Sequence, residues 1–276
     1  MNQKQKWTAA AAVGAIMVGT VVLFLVLRGC GGPAEPSAPE TSGGASQSIV
    51  LPDFAALLAQ AESQNKDAVA WLYVPGTDIN EAVYQAADNE YYLRRGGNKK
   101  YSFSGSLFLD YRNKLHPLSQ NTIVYGHHIG SPMGAKDDPD GVKFGQLLRF
   151  ADEEFAQRTP YVWLTVGEET YAFQIFVVAY LEAYLKPVEY HHPDFSPQDW
   201  QTLIADLEDR SLYHYPGGAG PDDKILTLST CVYKYGTYSQ NPNQRLLVVG
   251  RLVEGGVGAA DKADLTVNEN PKPPQF

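Results

Sequence analysis

The sequence predicts a mostly β domain closed, or nearly closed, into a barrel. Two observations lead there. Short runs rich in β-branched and aromatic residues recur between Ala68 and Gly250, each bounded by Gly, Pro, Asn or Asp. Only a few stretches carry the helical period, so strands outnumber helices and must manage their edges by closing on one another. No internal repeat is present.

Before the barrel come two segments of different composition. Residues 1–6 form a short basic N-terminus, and residues 7–28 are an uncharged run closed by Arg28. As a helix, about 20 residues rising about 1.5 Å each cross a bilayer core of about 30 Å. The run exceeds the apolar stretch of a cleaved signal, so it reads as an uncleaved anchor. Lys4 and Lys6 precede it, which predicts a cytoplasmic N-terminus, a single pass through the cell membrane and an extracellular domain. Residues 29–50 are Gly-, Pro- and Ser-rich with almost no apolar bulk, and read as a flexible stalk.

Residues 51–254 are expected to form the folded domain. Phe54, Leu57, Leu58 and Ala61 fall at i, i+3, i+4 and i+7, which predicts an amphipathic helix over 53–64. Strands are predicted over 68–74, closed by Pro75-Gly76, and over 81–85. A short helix is expected over 88–95, a strand over 106–109, a turn region over 110–120 and a strand over 122–125. Residues 130–141 read as a loop and 144–150 as helical. The runs 161–166 and 171–184 read as a hairpin turning at Gly167-Glu168-Glu169, followed by a loop over 186–195. Ser196 as N-cap, Pro197 at N1 and Asp199 at N3 open a helix that runs to about Asp209. After a loop over 213–223 come two further strands, 224–231 and 243–250. Residues 255–276, low in bulky apolar side chains, read as a disordered tail.

Composition narrows the function. The net charge is −9, and the first thirty residues hold three cations and no acid, so the remainder is more acidic still. A domain of that sign, without a basic stripe, excludes nucleic acid as a partner. The two cysteines, Cys30 beside the anchor and Cys231 in the domain, are unsuited to pair, which leaves Cys231 as a free thiol. No Cys/His cluster has zinc-ligand spacing, so neither metal nor cofactor is expected. His116, His191, His192 and His214 belong to no motif and read as surface residues.

Three strand-like runs end on polar groups. Thr227-Leu-Ser-Thr-Cys231 ends on a thiol, Tyr125-Gly-His127 on an imidazole, and the run 245–250 begins with Arg245. Along the first, Cys231 shares a face with Thr227 and Ser229. A thiol needs a base or a positive environment to become nucleophilic, and a histidine and an arginine at the same sheet rim supply both. In this order the three motifs resemble the sortases, cysteine transpeptidases of Gram-positive cell surfaces. Val69–Thr77, Asp88–Leu93 and Gly105–Asn113 are similar to class B sortases in particular, and the resemblance spans roughly 53–253.

The resemblance implies a barrel of about eight strands, with an N-terminal helix and a helix inserted between late strands. It implies Cys231 as nucleophile, His127 as general acid and Arg245 as donor to the oxyanion or the substrate backbone. Ser229, Thr230, Asn89, Leu93 and Tyr190 are implied as substrate-binding. The implied reaction cleaves a C-terminal sorting motif of surface proteins after Thr and passes the acyl group to an amine of a peptidoglycan precursor or a pilin. A membrane-anchored cysteine endopeptidase with water as acceptor, and a non-catalytic surface binding module, are the competing readings.

Overall fold

The strand-forming runs pair as the alternation of their side chains requires. In the computed structural model, which describes residues 51–130, 136–254 and 262–276, the strands are β1 (Ala68–Tyr73), β2 (Asn80–Tyr84), β3 (Leu107–Leu109), β4 (Asn121–Tyr125), β5 (His128–Ile129), β6 (Val142–Lys143), β7 (Tyr161–Val166), β8 (Glu169–Glu182), β9 (Tyr213–His214), β10 (Ile225–Cys231), β11 (Gln244–Leu252) and β12 (Thr266–Val267). Eight of them close a barrel in the order β1-β2-β3-β4-β10-β11-β8-β7. Two small ribbons, β5-β6 and β9-β12, stand apart from it. The expected anchor at 7–28 and stalk at 29–50 lie outside the described residues; among the described residues no helix is long and apolar enough to cross a membrane.

The barrel has apolar side chains on both faces of its late strands. Leu226 and Leu228 of β10 join Val83, Val124, Val178 and Val248 in the interior core. Ile225 of β10, with Val177, Leu181 and Leu247, forms a second core on the outer face. Covering that face is α3 (Pro197–Arg210), whose Trp200, Leu203, Ile204 and Leu207 are the residues the helical period assigns to one stripe. Its N-terminus is capped as expected: the Asp199 amide donates to the Ser196 hydroxyl at 3.2 Å. The N-terminal helix α1 (Phe54–Gln64) buries Phe54 against Tyr161 and Trp163, and Leu58 against Ala68 and Ala82. Asp53 caps it through the Ala56 amide at 3.0 Å.

Several expectations need correction. The 144–150 stretch is a 3-10 helix, Phe144–Ala151, and the helix expected over 88–95 is a single 3-10 turn, Tyr91–Arg94. The short helix α2 (Glu153–Arg158) was not anticipated; six residues are too few to display a period, although Asp152 caps it through the Phe155 amide at 2.9 Å.

The largest correction concerns the tail. Residues 262–276 are not a disordered appendage. Thr266 and Val267 pair with β9, and Leu265 is buried in the interior core. The Ala263 amide donates to the Gln157 carbonyl at 2.7 Å, and Asn268 Nδ2 to the Ser211 carbonyl at 2.9 Å. Further on, Lys272 pairs with Asp206, Arg210 donates to the Pro273 carbonyl at 3.3 Å, and the Phe276 ring lies 5.5 Å from that of Tyr235. The compositional reading counted apolar bulk, and this segment is held mainly by the buried Arg210–Asp206–Glu182 cluster and by backbone partners.

Replacing Leu265 with Ala is therefore expected to lower unfolding stability by about 2–3 kcal/mol, read as a drop in the urea midpoint. A tail that did not pack would leave the midpoint where it was.

Candidate active site

The register of three strands fixes the site. β4 and β10 run parallel with Tyr125 opposite Ser229, so two residues further along each chain His127 and Cys231 emerge at the same rim. β10 and β11 run antiparallel with Cys231 directly opposite Arg245. All three side chains line one cleft of about 400 Å³. A one-residue slip of either pairing would turn the side chains to the other face, and here both faces of β10 are buried against separate cores, which specifies the register twice.

The turn that carries His127 is tight. A Cβ at Gly126 would lie 2.6 Å from Leu107 Cδ2 and 2.7 Å from Phe144 Cγ, so only glycine passes there. The Gly126 amide donates to the Ser229 carbonyl at 3.3 Å, and its carbonyl accepts from the Thr230 hydroxyl at 2.9 Å. His127 Nε2–H donates to the Leu93 carbonyl at 2.8 Å, which leaves Nδ1 for other partners. Burial pulls this imidazole below its ordinary range; the Leu93 carbonyl works against that shift and the Arg94 charge adds to it.

His128 occupies a different place. Its ring is buried, donates from Nδ1 to the Cys231 carbonyl at 3.2 Å, accepts the Asp138 amide on Nε2 at 3.1 Å and stacks on Tyr233 at 5.0 Å. Both nitrogens are thus engaged, and the ring holds the backbone of Cys231 while His127 borders the cleft. Arg245 commits Nη1 to the Pro242 and Gln244 carbonyls, at 2.8 and 2.9 Å. That anchors the guanidinium by one corner and keeps Nε and Nη2 available.

The five residues expected to bind substrate all line the cleft, but their polar groups have partners within the protein. Ser229 Oγ lies 3.0 Å from the Tyr190 hydroxyl, and the Thr230 hydroxyl is spent on Gly126. Asn89 donates from Nδ2 to Asp110 at 2.9 Å and accepts the Tyr111 amide on Oδ1 at 3.0 Å. Leu93 offers its carbonyl to His127, and Tyr190 is buried. The loop at 186–195 brings His191 onto the cleft wall, half-buried, so reading it as a surface residue is corrected; His116, His192 and His214 are exposed.

Sequence reasoning missed the remaining wall, Phe108, Tyr125, Ala183 and Tyr184, and the group beneath it. Phe108 and Tyr125 are cross-strand partners of β3 and β4, a pairing that no local pattern announces. Asp110 is fully buried and accepts from five donors: the Arg112 amide, Nε and Nη2, Asn89 Nδ2 and the Tyr125 hydroxyl, at 2.9 to 3.1 Å. Burial alone would raise its carboxyl, but the bonds from Arg112 and Asn89 outweigh it and hold the group below the usual carboxylate range. Arg112 reaches on to the His191 carbonyl, tying this anchor to the loop above.

No family model matches the chain. Its sequence is similar to the sortase B of Listeria monocytogenes, 30% identical over 196 residues that cover 71% of this chain and 74% of the relative. It is 29% identical to the sortase B of Staphylococcus aureus over 211 residues, covering 75% and 78%. The fold matches a Staphylococcus aureus sortase B–substrate complex with a TM-score of 0.62 at 27% identity, covering 74% of this chain and 87% of that one. It matches Clostridium perfringens sortase B with a TM-score of 0.60 at 30% identity, covering 71% and 99%.

The Asp110 anchor yields a stability expectation. A carboxyl with a depressed folded pKa contributes stability that is present above its unfolded value, about 3.9, and is lost as the pH falls through the folded value. Arg112→Met strands the buried carboxylate, at a cost of about 3 kcal/mol near neutrality. It is expected to move the acid-unfolding midpoint, followed by circular dichroism, to higher pH. An unchanged midpoint would mean that Arg112 does not hold the carboxyl down.

Proposed function

The chain belongs to the class B sortases and is a sortase-type cysteine transpeptidase, and on that premise we propose how its residues divide the reaction. The Cys231 thiolate attacks the carbonyl carbon of the Thr in a sorting motif near the C-terminus of a surface protein. The carbonyl oxygen becomes an oxyanion, and Nε–H or Nη2–H of Arg245 donates to it or to the peptide backbone beside it. The imidazolium form of His127, made scarcer by burial, is the one that acts: Leu93 holds Nε2–H, and the Nδ1 proton goes to the leaving amine as the C–N bond breaks. The thioester that remains is attacked by the amine of a peptidoglycan precursor or a pilin. That step forms an amide and returns the thiol.

One observation supports this reading above the others. Cys231 stands at a strand end with Arg245 opposite it on one side and the exit to His127 on the other, all on one cleft. Ser229, Thr230, Asn89, Leu93 and Tyr190 then act chiefly as the shaped wall of the peptide groove, since their polar groups are engaged within the protein. By the same proposal residues 7–28 anchor the domain to the cell membrane from a cytoplasmic N-terminus, and residues 29–50 carry it clear of the outer surface.

Cys231→Ala is expected to abolish the acyl-enzyme, detected by mass spectrometry after incubation with sorting peptides. His127→Ala and Arg245→Ala are each expected to cost at least about 100-fold in kcat/KM. Adding an amine such as triglycine should shift the wild-type product from free acid to amide. Turnover that survives Cys231→Ala, or a product that stays acid at saturating amine, would replace this scheme with a hydrolase or a different nucleophile.

A further inference from the structure

The loop between β8 and α3 gathers a donor set that sequence spacing did not reveal. Glu189, His191 and His192 each offer a ligand atom, and the three atoms lie within 4.8 Å of one another. His191 Nε2 is 2.8 Å, and His192 Nε2 3.9 Å, from the same oxygen, Glu189 Oε2. Glu189 Oε1 is taken by Lys186 at 2.6 Å, which turns Oε2 toward the imidazoles.

The backbone that carries this set is held in place. Asn121 Nδ2 donates to the carbonyls of Tyr190 and His192, at 2.7 and 3.1 Å, and the Asn121 amide donates to Pro193 at 2.8 Å. Arg112 donates to the carbonyl between them, that of His191. Four consecutive carbonyls are therefore fixed to the barrel by two residues, Asn121 of β4 and Arg112. Ring contacts from Tyr184 and Tyr190 to His191, and from Phe195 to His192, restrict the side chains as well. A ligand set whose backbone is already immobilised loses little freedom when it binds.

We propose that Glu189, His191 and His192 form a binding site for a late first-row divalent cation, with Zn²⁺ as the physiological class of ligand. Two imidazoles and one carboxylate suit Zn²⁺, Ni²⁺ or Cu²⁺, whereas Ca²⁺ and Mg²⁺ require more oxygen donors. Ligand atoms around tetrahedral zinc stand about 3.3 Å apart. The 2.8 Å separation between His191 and Glu189 opens by about half an ångström through the Glu189 carboxylate, and the exposed His192 ring, stacked on His191, turns to close its 3.9 Å distance and bring its nitrogen toward that of His191. The Lys186 ammonium opposes the cation, and its exposed side chain can swing away. Tyr190 and His191 line the cleft, so a cation here cross-links the wall of the peptide groove without touching Cys231. Its three ligands are distinct from Cys231, His127 and Arg245.

The test uses the full chain carrying Cys30→Ala and Cys231→Ala, which removes both thiols. Calorimetric titration with Zn²⁺ is expected to show one equivalent bound per chain, with no binding of Mg²⁺ or Ca²⁺. His192→Ala removes an exposed ring and should weaken binding at least about tenfold; Glu189→Gln should do the same. Lys186→Met should tighten it. Co²⁺ bound to the wild-type chain at this site should give weak visible bands without the near-ultraviolet band of a cobalt thiolate. Absence of stoichiometric Zn²⁺ binding would overturn the proposal. So would binding that is indifferent to both His192→Ala and Glu189→Gln, or binding that occurs in the wild type and vanishes with Cys231→Ala.

Discussion

The parallel pairing of β4 with β10 is the constraint on which the site depends. Antiparallel neighbours present opposite ends at a given rim, so a hairpin could not bring two strand exits together. Here both strands leave the sheet at one edge, and their register sets His127 beside Cys231 with no freedom left to the connecting loops. β11 then comes back antiparallel and supplies Arg245 at its first turn inward. A parallel pair requires a long crossover. The β7–β8 hairpin and α3 occupy that crossover, and α3 covers the outer face of the strand that carries the thiol.

Beneath the cleft a second device works by charge. Asp110 is buried, yet it organises the wall above it because each of its oxygens is occupied. Asn89 and Tyr125 are aimed by their bonds to it, and Arg112 passes from it to the backbone at His191. The polar residues of the cleft are in this sense already used up by the protein. Arg245, by contrast, lines the same cleft as Cys231 and commits only one corner of its guanidinium.

The strands, the two main helices with their caps and the three polar strand ends that meet at one cleft were legible because each leaves a local mark. Ser196-Pro197 opens a helix wherever it occurs, and a run such as Leu226, Leu228 and Thr230 alternating with Ile225, Thr227 and Ser229 declares a strand with two buried faces. What was not legible depends on partners distant in the chain. Asp110 looked like the start of a turn because its donors come from residues 89 and 125 as well as 112. His191 looked like a surface residue because Arg112 and Asn121, which seat its loop, lie about 70 to 80 positions away. The tail looked disordered for the same reason: composition records how much apolar surface a segment has, not whether a buried arginine elsewhere needs a carbonyl.

The sequence distance across the rim has a further effect. His128 and the carbonyl of Cys231 that it holds are 103 residues apart, so the rim closes only when two segments far apart in the chain come together. Contacts of that span are slow to form. Until those distant segments meet, neither the His128 ring nor the facing Arg245 position of β11 holds the backbone that carries the thiol.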